Sequence, residues 1–125
     1  MPQLPKAVSE AWDQHEGPIV LTTVDANGMP NSIYATCAAK FDESHLVVAD
    51  NFFNKTRANI EAGSKGSILF ITGEGKAFQV KGSLDRQEAG AIFDDMKCWN
   101  PEKLPGNAAA VLTVEEVYSG GEKLL

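Results

Sequence analysis

Leu46–Ile60, LVVADNFFNKTRANI, passes from a short apolar strand through a polar turn into a helix. The apolar run Leu46 to Ala49 reads as a buried strand that stops at Asp50-Asn51. Asn54 is a favourable N-cap for a helix from Lys55 to about Ala62, which Gly63 ends. Amides of a first helical turn have no intrahelical acceptor and sit at the positive end of the macrodipole, so such a passage can hold an anion. Lys55 adds a charge and Thr56 a hydroxyl, and both are expected to be exposed. An Asn-capped helix with Lys and Arg on its wet face is also ordinary, so the rest of the chain has to decide between the two readings.

Hairpins surround this passage. Ile19–Val24 is apolar and β-branched, Asp25-Ala26-Asn27-Gly28 is a tight-turn signal, and a second strand follows from about Pro30 to Phe41. Asp42-Glu43-Ser44 turns the chain into the Leu46 strand. Beyond the helix, Ser67–Thr72 and Ala77–Leu84 form a hairpin around Gly73-Glu74-Gly75, and Ala108–Val117, AAAVLTVEEV, is the last strand. Lys6–His15 is a short helix with Ala7, Val8, Ala11 and Trp12 on one stripe, closed by Gly17-Pro18. Gln87–Met96 is another, with Ala91, Ile92 and Met96 inward. The mid-chain helix is then a short crossover. Strands joined mostly by hairpins, without repeated βαβ units, predict a mainly β fold with short helices, a six-stranded antiparallel split β-barrel, in preference to a doubly wound sheet.

At 125 residues and 43% hydrophobic, the chain is expected to form a single domain over residues 1–125 with a core that needs no staples. A formal net charge of −6 argues against duplex nucleic acid or an anionic membrane as partner, since either requires a basic face. The N-terminus has no h-region or cleavage site, and no apolar run approaches a membrane span, so a cytoplasmic protein is expected. Cys37 and Cys98 belong to no C-x-x-C pair and read as reduced thiols, while His15 and His45 have no ligand spacing and give no metal site. Asn54-Lys55-Thr56 matches a glycosylation sequon, which would matter only in a secreted protein. No G-x-G-x-x-G or Walker loop occurs. Asp94-Asp95 and Glu115-Glu116 put neighbours on different faces, so no catalytic pair is assigned.

With these elements in place, the chain resembles the FMN-binding split barrels related to pyridoxamine 5′-phosphate oxidase, especially their small flavin-binding members. The resemblance spans nearly the whole sequence. It rests on the order of elements, on VDANGMPNSIYATCAAKFD, LVVADNFFNKTRANI and AFQVKGSL, and on the late Lys97-Cys98-Trp99. It implies that Asn54, Lys55 and Thr56 grip the flavin phosphate, while Tyr34, Ala35 and Thr36, with Ala49 and Asp50, lie along the flavin and ribityl chain. The oxidase's phosphate Arg on the second strand aligns with Ile33, and its Gln on the fifth with Ala77; Gln79, two residues on and on the same side of the strand, is the substitute. Only YSGGEKLL follows Val117, where the oxidase carries its substrate-binding Arg and His, which argues against pyridoxamine phosphate oxidation.

A flavin phosphate carries nearly two negative charges, which one Lys, a hydroxyl and helix-start amides can meet without a basic domain. Small or β-branched residues such as Ala35, Thr36 and Val48 suit a flat slot for the ring, on which Tyr34 and Trp99 can stack. One such anion site and no Gly-rich diphosphate loop favour FMN over FAD. The resemblance implies a homodimer with flavin at the subunit interface, and the apolar runs AAAVLTV and SILFIT are expected to need a covering partner. The function expected is an FMN-dependent oxidoreductase passing electrons or hydride between a reduced nicotinamide and a small acceptor, with a non-catalytic flavin carrier or a haem or other planar-ligand module as the alternative.

Overall fold

Asp25 makes the first hairpin turn as its sequence asks: Oδ1 accepts from the amides of Asn27 and Met29 at 2.8 and 2.9 Å, and Gly28 takes φ +84°, which an L side chain resists. In the computed structural model, which describes residues 1–125, this turn joins β1 (Ile19–Val24) to β2 (Pro30–Ala35). The chain continues through β3 (Ala38–Asp42), β4 (His45–Asp50), β5 (Lys65–Ile71), β6 (Ala77–Gln87), β7 (Ala108–Ser119) and β8 (Glu122–Lys123). Three helices interrupt it: α1 (Lys6–Asp13), α2 (Lys55–Glu61) and α3 (Ala91–Trp99). No helix is long and apolar enough to cross a membrane.

All strand pairs are antiparallel, in the order β2-β1-β5-β6-β7-β4-β3, with β8 paired to β7. The two edge strands are consecutive in the chain. The expected single strand Pro30–Phe41 breaks at Thr36-Cys37, so that β2 pairs with β1 and β3 with β4. The edges therefore meet at this link and separate away from it, which makes the sheet a curled half-barrel with a split. That break and the short β8 are why the structure has more strands than the six expected.

Curling the sheet needs room at its bends. Gly66 faces Gly82 across β5 and β6, and a Cβ on Gly82 would lie 1.8 Å from the Thr113 carbonyl oxygen. Beside it the β6–β7 register skips Glu115, a bulge that tightens the twist.

Two apolar clusters follow. Leu21, Leu46, Val48, Ile68, Val80 and Leu112 fill the barrel, and α1 closes it with Val8 and Trp12, whose ring meets Phe70 edge-on at 5.1 Å. Each large side chain buried here stabilises the fold by about 1.5–3 kcal/mol. On the opposite face Val47, Ala49, Ala109 and Val111 lie under Met96 of α3. The run AAAVLTV is thus apolar on both faces because the chain itself covers both, and it needs no partner. SILFIT differs: Ile68 and Phe70 point inward, while Leu69 and Ile71 remain 44% and 46% exposed on the outer face. α3 starts at Ala91, later than the expected Gln87, because β6 runs on to Gln87 and Gly90 turns the chain at φ +101°. Met96 is its buried residue; Ala91 is exposed.

Candidate functional site

Where the two edges part, a cleft of about 530 Å³ opens. One wall comes from β2 and the link after it, with Asn31 and Ile33 to Cys37. The other runs from Ala49 at the end of β4, through Asn51 to Asn54, to Lys55 and Thr56 of α2, and Leu104 reaches in from the loop before β7. Seven of the sequence-predicted residues meet here: Tyr34, Ala35, Thr36, Ala49, Asn54, Lys55 and Thr56.

Their details differ from expectation in two respects. Asn54 makes no side-chain cap; its carbonyl accepts from Ala58 at 3.1 Å and its amide group stays exposed in the cleft wall. Thr56 is not exposed but 1% accessible, and its Oγ1 accepts from Asn31 Nδ2 at 3.1 Å. Asn59 Nδ2 donates to Thr23 Oγ1 at 2.9 Å, so α2 is tied to both strands of the first hairpin. Lys55 is exposed and is the only charged residue in the cleft wall. Arg57 points elsewhere, paired with Glu61 at 3.3 Å.

Three predicted residues lie outside the cleft of their own chain. Asp50 is 2% exposed and faces Arg86, whose Nε and Nη2 each donate to its Oδ2 at 2.9 Å. Its Oδ1 accepts from the Phe53 amide at 3.0 Å, so Asp50 shapes the turn out of β4. Burial works to lower the Arg86 pKa, but its hydrogen bonds and charge pairing with Glu88 and Asp50 win and raise it. Gln79 sits on the outer face of β6 between Leu69 and Tyr118. Trp99 lines a neighbouring cavity of about 560 Å³ that shares only Leu104 with the cleft.

Residues missed from sequence tie the cleft wall at Asn51 to the loop before β7. Asn51 and Asn100 exchange side-chain amide hydrogen bonds at 3.1 and 3.0 Å, both buried, and Gly106 donates to Asn51 Oδ1 at 2.9 Å. Asn107 donates to the Asp50 carbonyl at 2.8 Å, and Lys97 Nζ donates to the carbonyls of Pro105 and Gly106 at 3.0 and 3.2 Å. This network fixes the loop carrying Leu104. Asn51 and Asn100 each read locally as turn residues, and nothing nearby in sequence pairs them.

The arrangement suits a flat ligand with an anionic end. Lys55, the Thr56 hydroxyl and the free amides opening α2 lie at one end; Ala35 and Ala49 leave a shallow wall; Tyr34 and Phe52, each 79% exposed, flank the mouth.

Comparison with known proteins places the fold. HupZ from Group A Streptococcus is 24% identical with a TM-score of 0.79 over 93% of each chain. An FMN-binding protein from Syntrophomonas wolfei is 21% identical, TM-score 0.69, over 80% of this chain and 74% of its own. HutZ, the heme storage protein of Vibrio cholerae, is 19% identical, TM-score 0.68, over 94% of this chain and 95% of its own. At these identities the likeness speaks to fold alone. No curated protein sequence matches the chain. The family model for pyridoxamine 5′-phosphate oxidase matches residues 4–120, nearly the whole chain with its half-barrel and cleft, and the protein belongs to that family.

Proposed function

We propose that the cleft binds FMN and that the protein is a flavin-dependent oxidoreductase, passing electrons or hydride between a reduced nicotinamide and a small acceptor. The observation that carries this reading is the cleft itself: one cation and one buried hydroxyl at one end, small side chains along the wall and aromatic rings at the mouth. One anion-holding end matches one phosphate. When bound, FMN supplies the redox chemistry. The chain's residues bind and orient it: Lys55 meets the phosphate charge, Ala35 and Ala49 leave room for the ring, and the Asn51–Asn100 network holds Leu104 against its edge of the cleft. Ile33, apolar and in the cleft wall, stands where the resembling oxidase carries its phosphate Arg, so Lys55 is the one charged side chain that the cleft offers the phosphate.

The fold shared with HutZ supports a second reading, a haem or other planar-ligand module. Against it, neither His lines the cleft: His15 bonds the Trp12 carbonyl and His45 bonds Asp42. A flavin carrier without turnover is the remaining alternative.

The visible spectrum of the purified protein and mass analysis of its released cofactor test the proposal, FMN being expected and haem or FAD refuting it. Turnover of NADH or NADPH with an added acceptor separates enzyme from carrier. Lys55→Ala, an exposed change, is expected to weaken FMN about tenfold or more while sparing riboflavin.

We propose further that the protein works as a homodimer with flavin shared at the interface. Leu69 and Ile71 present uncovered apolar surface on the outer face of β5, and Gln79 lies on that same face of the sheet, where a second copy brings it towards the other cleft. Light scattering is expected to give twice the monomer mass, and a flavin-loaded monomer at micromolar concentration refutes it. Two free thiols fit a reducing, cytoplasmic setting.

A further inference from the structure

Thr56 is 1% exposed, its oxygen accepts from Asn31 Nδ2 at 3.1 Å, and its hydroxyl enters no second hydrogen bond within the protein. A hydroxyl carries one donor and two acceptor sites, so with the amide nitrogen of Asn31 occupying an acceptor site the proton is directed elsewhere. Asn31, Thr56 and Lys55 line the same end of the cleft. A buried donor without a partner is costly, and an anionic oxygen in the cleft supplies one.

We propose that Asn31 is a positioning residue that turns the Thr56 hydroxyl into the cleft, so that Thr56 and Lys55 together select the phosphomonoester end of the bound flavin. This rests on the FMN reading above. Asn31 itself does not take the phosphate; it decides whether Thr56 is a donor there. A haem propionate offers an oxygen of the same kind, and the choice of ligands separates the two.

The test is fluorescence titration of FMN and riboflavin, which share the ring and differ in the phosphate, with haem followed by absorbance. Asn31→Asp reverses the hydrogen bond, since a carboxylate accepts the Thr56 proton, and adds a negative charge. FMN affinity is expected to fall about tenfold or more and riboflavin affinity to change by less than about twofold. Thr56→Val removes the hydroxyl at nearly constant shape and is expected to lose the same preference, while Thr56→Ser keeps the hydroxyl and retains it. Thermal melts show which variants are folded, and Thr56→Val carries the comparison if Asn31→Asp is not. An equal loss for both flavins, or an unchanged FMN-to-riboflavin ratio in Asn31→Asp and Thr56→Val, overturns the inference. A wild-type protein that binds both flavins equally overturns it and leaves flavin binding standing; one that binds haem and neither flavin overturns both.

Discussion

Arg86→Met cuts one side of the buried ion pair behind the cleft. The Arg86 side chain is 5% exposed and that of Asp50 2%, and two guanidinium nitrogens lie 2.9 Å from Asp50 Oδ2. Methionine fills similar volume but leaves the carboxylate buried with one remaining donor, the Phe53 amide. Glu88 is 63% exposed and loses little by turning to solvent. Removing one partner of a buried pair costs about 3–5 kcal/mol, because a charge is left uncompensated rather than because the pair itself is worth that much. For 125 residues, at about 2.1 cal/mol/K per residue, the entropy of unfolding is about 0.26 kcal/mol/K, so the melting temperature should fall by about 12–19 °C. The double variant Asp50→Asn with Arg86→Met removes both charges and should recover much of the loss. Urea denaturation and calorimetry on wild type, both single variants and the double give the cycle. A loss below about 1 kcal/mol in Arg86→Met, or a double variant less stable than Arg86→Met alone, would refute the reasoning.

Other outcomes follow from single contacts. Gly82→Ala places a methyl 1.8 Å from the Thr113 carbonyl and should destabilise by about 3 kcal/mol or more, whereas Gly121→Ala, with nothing within 4 Å, should stay within about 0.5 kcal/mol; paired urea melts check this. Asn51→Leu strands the amides of Asn100 and Gly106 at about 1–3 kcal/mol for each buried group, and hydrogen exchange should quicken at residues 100–107 before it does in β1. For Asp42, partial burial acts upward but the Ser44 amide and His45 bring its pKa below the ordinary value, and the Ser9 hydroxyl, then Lys40, do the same for Glu43 against a smaller burial effect. Folded-state values below unfolded ones add stability above about pH 4–5, lost as pH falls through the folded values. Urea midpoints should therefore drop on acidification, less steeply in Asp42→Asn with Glu43→Gln, and an identical slope in that variant would remove these groups from the account.

Period and turn chemistry made most of the fold legible. Asp25 to Gly28 names its own turn, since an Asx oxygen and a glycine at positive φ act within five residues. The break at Thr36-Cys37 has no such local signal. Both residues suit a strand, and what divides β2 from β3 is that one stretch has to pair with β1 and then with β4, a requirement of closure rather than of propensity. The apolar run of β7 misled for a related reason. Alternation distinguishes one covered face from none, but α3 covers the second face from within the chain, and the sequence of a strand does not say which element lies over it.

The site divides along the same line. Tyr34 to Thr36, Ala49 and Asn54 to Thr56 belong to two short segments, so a resemblance that fixes the segments brings all of them to one cleft. Asp50 lies in the same segment and still turns away, because strand neighbours point to opposite faces and its face meets Arg86, 36 residues on. Thr56 shows the converse: its place in the cleft wall was readable, while its burial and its hydrogen bond depend on Asn31, 25 residues earlier. The state of a site residue here is set by a partner distant in sequence, and on the proposal made above that partner gives the phosphate end of the cleft its direction. Lys55 supplies charge wherever its flexible stem reaches, but only a hydroxyl held from behind can distinguish a phosphate at one position from charge in general.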